Sequence, residues 1–268
     1  KESWNPLRPC HSAKILFLQP ADIMKSTVSL AARMPLLALL LIVSVAPLHA
    51  AEHVVFLDTF DAPDGVNVNA AFEARQAGGE VASPYKKLGG EAGQSAIVSK
   101  ELHRDGAGEL ETAANFAGRI AGKNFSLSVD ARCLTNDGWG SISVLGGTAE
   151  NRGLSPLSIR LHGAGGLVFV ASGAAGETPP PTETRFTPAE LSVLLGREFD
   201  ITESHNYKYV VSDNGTRVAF FIDNVELPLR DNILMFDDVS ALKISFVNVG
   251  NADSRLAFDN LTITAENP

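Results

Sequence analysis

Three carboxylates stand at positions i, i+2 and i+5 of Glu198-Phe199-Asp200-Ile201-Thr202-Glu203. Paired carboxyls can hydrolyse a glycosidic bond when one is ionised and the other protonated, with about 5 to 5.5 Å between them for a retaining reaction. The same run reads as a solvated strand edge that buries Phe199 and Ile201. A different chemistry is offered by Trp139, flanked by Asn136, Asp137, Gly138 and Gly140. An indole rimmed by amide and carboxylate groups can grip the apolar face of a sugar; a Trp that begins a strand also fits a core filler. Tyr207 and Tyr209 share parity with His205 and line one sheet face, either as ligand contacts or as packing. Asp259 is singled out by a break in pattern. Leu256 and Phe258 share one parity, Leu261 and Ile263 the other, so an extra residue must be accommodated at Asp259-Asn260. Such a bulge re-aims a side chain.

Other chemistries are excluded. His53, His103, His162 and His205 are scattered, with none at the i, i+4 spacing of a zinc helix. No Gly-x-Ser-x-Gly elbow or phosphate loop occurs. The only cysteines, Cys10 and Cys133, can build neither a disulfide framework nor a Cys-rich zinc site. Lys plus Arg number 22 against 31 Asp plus Glu, and the net charge of −9 repels nucleic acid. With 268 residues, 45% hydrophobic and 20% charged, the chain has the composition of a soluble globular body.

The elements that position these residues begin after a leader. Lys25 and Arg33 follow Met24 and precede an apolar run from Pro35 to Val45, then Ala46-Pro47-Leu48-His49-Ala50-Ala51. This reads as a signal peptide starting at Met24 and cleaved near Ala50, with residues 1–23 an upstream extension. The run is shorter than the roughly 20 residues of a membrane span, so none is expected after cleavage. The expectation is a secreted, periplasmic or cell-envelope protein whose single domain covers 51–268. Removing residues 1–50 takes away five basic and two acidic residues, which leaves 17 against 29.

From Phe125 onward the period is two. Phe125, Leu127, Val129 and Ala131 oppose Ser126, Ser128, Asp130 and Arg132, and the alternation recurs around Leu157, Val218 and Leu242. Further strands are expected at Val54–Asp58, Ser141–Leu145, Leu167–Ala171, Tyr207–Val211 and Arg255–Thr264. Asn136-Asp137-Gly138, Gly163 to Gly166 and Asp213-Asn214-Gly215 mark turns, the last a hairpin. One short helix is expected, with Thr187 as N-cap, Pro188 in the first turn and Glu190 closing a capping box. Gly173 to Thr184, with three prolines, is expected to be a surface loop. Many short strands with turn punctuation predict an all-β sandwich.

Phe56-Leu57-Asp58-Thr59-Phe60-Asp61, Ala74-Arg75-Gln76-Ala77-Gly78, Ala114-Asn115-Phe116, His205-x-Tyr207-x-Tyr209-Val210-Val211, Phe221-Ile222-Asp223-Asn224 and Phe258-Asp259-Asn260-Leu261 together resemble laminin-G-like domains of secreted bacterial proteins, within the concanavalin A-like lectin and glucanase superfamily. The resemblance implies a jelly roll of two antiparallel sheets. It also implies a structural Ca²⁺, with Asp259 on the last strand joined by Asp58 or Asp61. The acidic run is similar to the Glu-x-Asp-x-x-Glu of laminarinase-like glucanases. That likeness would make Glu198 the nucleophile, Asp200 its tuning partner and Glu203 the acid/base; here, however, a Leu-rich helix end and Gly196-Arg197 replace the family's aromatic, Gly-rich approach. The reading is therefore a non-catalytic recognition or structural module for an extracellular glycan or protein. A glucanase-like hydrolase is the alternative.

Overall fold

The computed structural model describes residues 52–88, 94–147, 157–172, 182–230, 241–248 and 255–266. The expected leader lies outside the described residues, which fall within the unit Leu48–Pro268. No described helix is long and apolar enough to cross a membrane.

Fifteen strands follow in chain order: β1 Glu52–Asp58, β2 Tyr85–Leu88, β3 Gln94–Val98, β4 Glu101–Asp105, β5 Gly108–Thr112, β6 Phe125–Cys133, β7 Trp139–Gly147, β8 Leu157–His162, β9 Leu167–Ser172, β10 Thr182–Phe186, β11 His205–Ser212, β12 Arg217–Ile222, β13 Val225–Leu227, β14 Ala241–Asn248 and β15 Arg255–Glu266. Three helices interrupt them, α1 Phe72–Arg75, α2 Ala117–Ile120 and α3 Pro188–Leu195. One sheet runs β13-β12-β11-β6-β15-β4-β3, with β1 also paired to β15; the other runs β10-β9-β8-β7-β14-β5-β2. The strand pairings are antiparallel. The result is a jelly-roll β-sandwich.

Period two is realised directly. On β6, Phe125, Leu127, Val129, Ala131 and Cys133 are buried, and on β14 so are Leu242, Ile244 and Phe246. Phe60, Tyr85, Phe246 and Phe258 form an aromatic group with centroids 4.9 to 6.5 Å apart, in edge and stacked arrangements that suit ring quadrupoles. The turn at Asp213-Asn214-Gly215 joins β11 to β12 with all three residues at positive φ, which is why Asn and Gly stand there. The capping box of α3 is present, and Gly196 at φ 67° ends the helix. The parity break on β15 is a bulge: the register against β6 shifts between Asp259 and Thr262, and Asn260 has φ 47°.

Two expectations need correction. The segment Gly173 to Thr184 does not stay a loop to its end, because β10 begins at Thr182 and pairs with β9; its prolines lie outside the described residues. Strands β2 to β5 were not expected from the sequence. Their inward positions include Lys87, Ser95 and Arg104, so no apolar alternation announces them.

Candidate functional site

The acidic run does not form a paired-carboxyl site. It occupies the connection between α3 and β11 and not a strand, with Phe199 and Ile201 buried and Glu198, Asp200 and Glu203 exposed. Asp200 makes a local turn, accepting hydrogen bonds from the Thr202 amide at 2.9 Å and hydroxyl at 2.8 Å. These bonds hold its carboxyl below the usual range. The Asp200 carbonyl faces His205 Nε2 at 3.0 Å, while His205 Nδ1 faces Asp223 at 2.7 Å and the ring stacks on Phe199. The segment is thus a pinned connection. Glu203 lies on this connection and not on a strand bulge that would turn it back toward Glu198, as the alternative hydrolase reading requires.

Tyr207 and Tyr209 are corrected in the same way. Both are buried between the sheets, and burial pushes both phenols well above their ordinary pKa. The Tyr209 hydroxyl donates to the Ser158 carbonyl at 2.8 Å. Their parity with His205 is real, but the shared face is the core, so neither can touch a ligand.

Among the described residues Asp58, Asp61 and Asp259 do not form one ligand group, although Asp61 lies near enough to Asp259 to raise its pKa. Asp58 is fully buried and its carboxylate accepts from Arg75 Nε and the Phe60 amide, both at 2.9 Å, and from Gln76 Nε2 at 2.7 Å. Arg75 Nη2 and the Tyr85 hydroxyl complete the shell at 3.2 and 3.1 Å. A divalent cation there would face a guanidinium. Asp61 pairs with Lys100 at 3.0 Å. Asp259 lies opposite Asp130 in the register, and the Asn260 amide donates to both carboxylates, at 3.2 and 2.8 Å. Those two bonds come from the Asn260 side chain; its backbone N–H also donates to Asp259 at 2.8 Å and lowers the carboxyl, but burial first, then the Asp130, Glu101 and Asp61 charges, push Asp259 up to about 6. Among the described residues no group of three or more His, Cys, Asp or Glu side chains could hold a metal ion.

Trp139 is different. It is 42% exposed at the first residue of β7, so it is not a core filler. Its cross-strand partner is His162, the last residue of β8, and the two rings meet edge to face at 5.4 Å and 85°. The turns on either side are locked by close backbone contact. Gly163 N donates to the Gly138 carbonyl at 2.7 Å, a Cβ on Gly163 would lie 2.7 Å from the Thr135 carbonyl, and one on Gly138 would lie 2.8 Å from that of Arg255. Asn136 and Asp137 are exposed in the turn that precedes Trp139. The arrangement is an exposed indole packed edge to face with an imidazole, preceded in the chain by an exposed amide and an exposed carboxylate. Sequence spacing missed His162, since it is 23 residues from Trp139 and only strand pairing joins them.

No protein-family model and no curated protein matches the chain. Several solved structures match at low identity. A chain described as the HCR/D F1240A mutant is 12% identical with TM-score 0.50, over 81% of this chain and 48% of that one. The carbohydrate-binding module CBM66 from Bacillus subtilis is 13% identical with TM-score 0.44, over 67% and 94%. A chain from a study of endo-acting O-glycanases of the human gut microbiota is 15% identical with TM-score 0.48, over 80% and 100%. This chain spans only 16% to 48% of the length of several of the chains it matches. At these identities the likeness concerns the fold.

Proposed function

We propose that this protein is a non-catalytic carbohydrate-recognition module of the laminin-G-like, concanavalin A-like kind, exported from a bacterial cell, with Trp139 as its sugar platform. The observation that carries the reading is the exposed indole held edge-on by His162 between two backbone-locked turns. A rigid platform suits binding, because little side-chain freedom remains to be lost when a ligand docks. The carbohydrate-binding module among the structural neighbours agrees with this reading without carrying it. The dispersal of Glu198, Asp200 and Glu203 over an exposed connection favours binding over hydrolysis.

The test is a glycan array with the purified protein, followed by calorimetry on the best ligand and a reducing-sugar assay on β-glucans. Binding without turnover is expected, with Trp139→Ala weakening affinity at least tenfold, which corresponds to about 1.4 kcal/mol. Equal affinity of Trp139→Ala and wild type would refute the platform. Turnover abolished by Glu198→Gln would restore the hydrolase reading. A protein ligand in place of a glycan would redirect the reading to protein recognition.

A further inference from the structure

Where β2 and β3, the edge strands of the two sheets, face each other, the apolar interior gives way to a polar cleft. It measures about 340 Å³ and is lined by Asn67, Asn69, Tyr85, Lys87, Ser95 and Leu110, among others. That volume is within the range of small-ligand pockets, roughly 300–1,000 Å³. Tyr85 and Lys87 share one face of β2, and Lys87 lies opposite the buried Leu110 of β5. Lys87 therefore takes an inward position at the mouth of the sandwich. It is exposed and makes no ion pair among the described residues.

Behind Ser95 lies a buried cation without a direct ion pair among the described residues. Arg104 is Ser95's cross-strand partner on β4, is 1% exposed, and donates through Nη1 to the Ser95 hydroxyl. Its Nε and Nη2 atoms are buried with no hydrogen-bond partner. Asp105 and Glu109 lie near enough to favour the charged form, but neither forms an ion pair with Arg104 among the described residues. Desolvation outweighs them and lowers the guanidinium to about 10. Leaving a buried cation without a hydrogen-bonded anion is costly. Inward-pointing charge can protect an edge strand from mispairing, and Lys87 on β2 could serve that purpose. Arg104 cannot, because it is fully buried on β4, which has β3 on one side and β15 on the other.

We propose that this cleft receives one oxyanion, a carboxylate or sulfate group carried on a saccharide, between Lys87 at the rim and Arg104 behind Ser95. The proposal rests on the carbohydrate-recognition reading for the saccharide, and on the cleft and Arg104 alone for the anion. Ser95 already accepts from Arg104, and its hydroxyl hydrogen remains to donate to the ligand. Arg104 acts through Ser95: its guanidinium lies behind the lining, donates to the Ser95 hydroxyl and polarises that hydroxyl toward the ligand. The cleft is separate from the Trp139 platform, lying on β2 and β3 and not on β7 and β8.

The test is an NMR titration of the full protein with sodium sulfate, glucuronate and glucose at constant ionic strength. Saturable shifts are expected at Lys87 and Ser95 with sulfate and glucuronate, and none with glucose. Lys87→Ala and Arg104→Met should each weaken anion binding at least fivefold, and Trp139→Ala should leave it unchanged. Lys87 is exposed, so its variant remains informative if Arg104→Met fails to fold. No saturable shift with either anion, or binding retained in Lys87→Ala, would overturn the site. Sulfate binding without glucuronate binding would overturn the saccharide assignment and leave a free-anion site. Failure of glycan binding at Trp139 with anion binding intact would refute the platform reading and not the cleft.

Discussion

Replacing Asp58 by Asn isolates a buried carboxylate that gathers five hydrogen bonds. The wild-type carboxylate accepts from five donors, namely the Phe60 amide, Arg75 Nε and Nη2, Gln76 Nε2 and the Tyr85 hydroxyl. The substitution keeps the volume but removes the charge, and it turns two N–H groups toward a site already filled with donors. Arg75 is then a buried cation without an anion, left with the Ala70 and Val68 carbonyls at 2.6 Å each and at most the one neutral oxygen of the introduced amide. Breaking one side of a buried ion pair costs about 3–5 kcal/mol, a large share of the roughly 5–15 kcal/mol that holds a domain folded. At about 2–4 °C per kcal/mol for a domain of this size, the melting temperature should fall by roughly 6–20 °C. Guanidinium unfolding followed by circular dichroism, with and without chelator, measures the change. The double variant Asp58→Leu/Arg75→Met, which removes both charges, should recover part of the loss. A loss below about 1 kcal/mol would refute the ion-pair reasoning. So would a chelator that destabilises wild type and leaves Asp58→Asn untouched, since Asp58 would then be serving a metal.

Asp259→Asn tests the carboxylate pair on the bulge. A folded-state pKa of about 6 above the ordinary 3.8 means that the folded protein binds the proton more tightly than the unfolded chain. The stability this contributes is fully present below 3.8 and is lost as pH rises through 6. The melting temperature of wild type relative to Asp259→Asn should therefore be higher at pH 4 than at pH 7.5, and a difference independent of pH would contradict it. His205→Phe keeps the stack on Phe199 but removes the ring nitrogens that face Asp223 and the Asp200 carbonyl; Asp223 still accepts from Arg197 and the Asn206 amide, so the expected cost is about 0.5–1.5 kcal/mol for each hydrogen bond lost. Hydrogen exchange should then rise across residues 198–204, and unchanged protection there would sink the pinning argument. Gly140→Ala should destabilise the Trp139 end, because its Cβ would lie 2.5 Å from the Val247 carbonyl and 2.7 Å from Leu256 Cδ1. A melting temperature equal to wild type would show that β14 can yield at no cost.

Much of this protein could be read residue by residue. Strands β6, β11, β12 and β14 alternate because one face packs on the core, and β15 does so on either side of its bulge. The displaced parity of Leu256 and Leu261 located the bulge at Asp259-Asn260, and Thr187 to Glu190 located the capping box. The candidate site was less legible. Parity places Tyr207 and Tyr209 on one face without saying whether that face meets solvent or the opposite sheet. The acidic run has the spacing of a catalytic motif, yet it falls on a connection where that spacing has no geometric meaning. Strands β2 to β5 were hidden because their inward positions carry Lys87, Ser95 and Arg104.

Local spacing along the chain suffices for the layered all-β architecture, its turns and its bulge, because these depend on neighbours one to five residues apart. Tertiary structure alone decided that Asp58 meets Arg75 and Tyr85, that Trp139 is exposed beside His162, and that Arg104 is buried behind a cleft without a direct ion pair among the described residues. Each depends on which distant strands pair and which face turns inward, and long-range packing, not local periodicity, sets both.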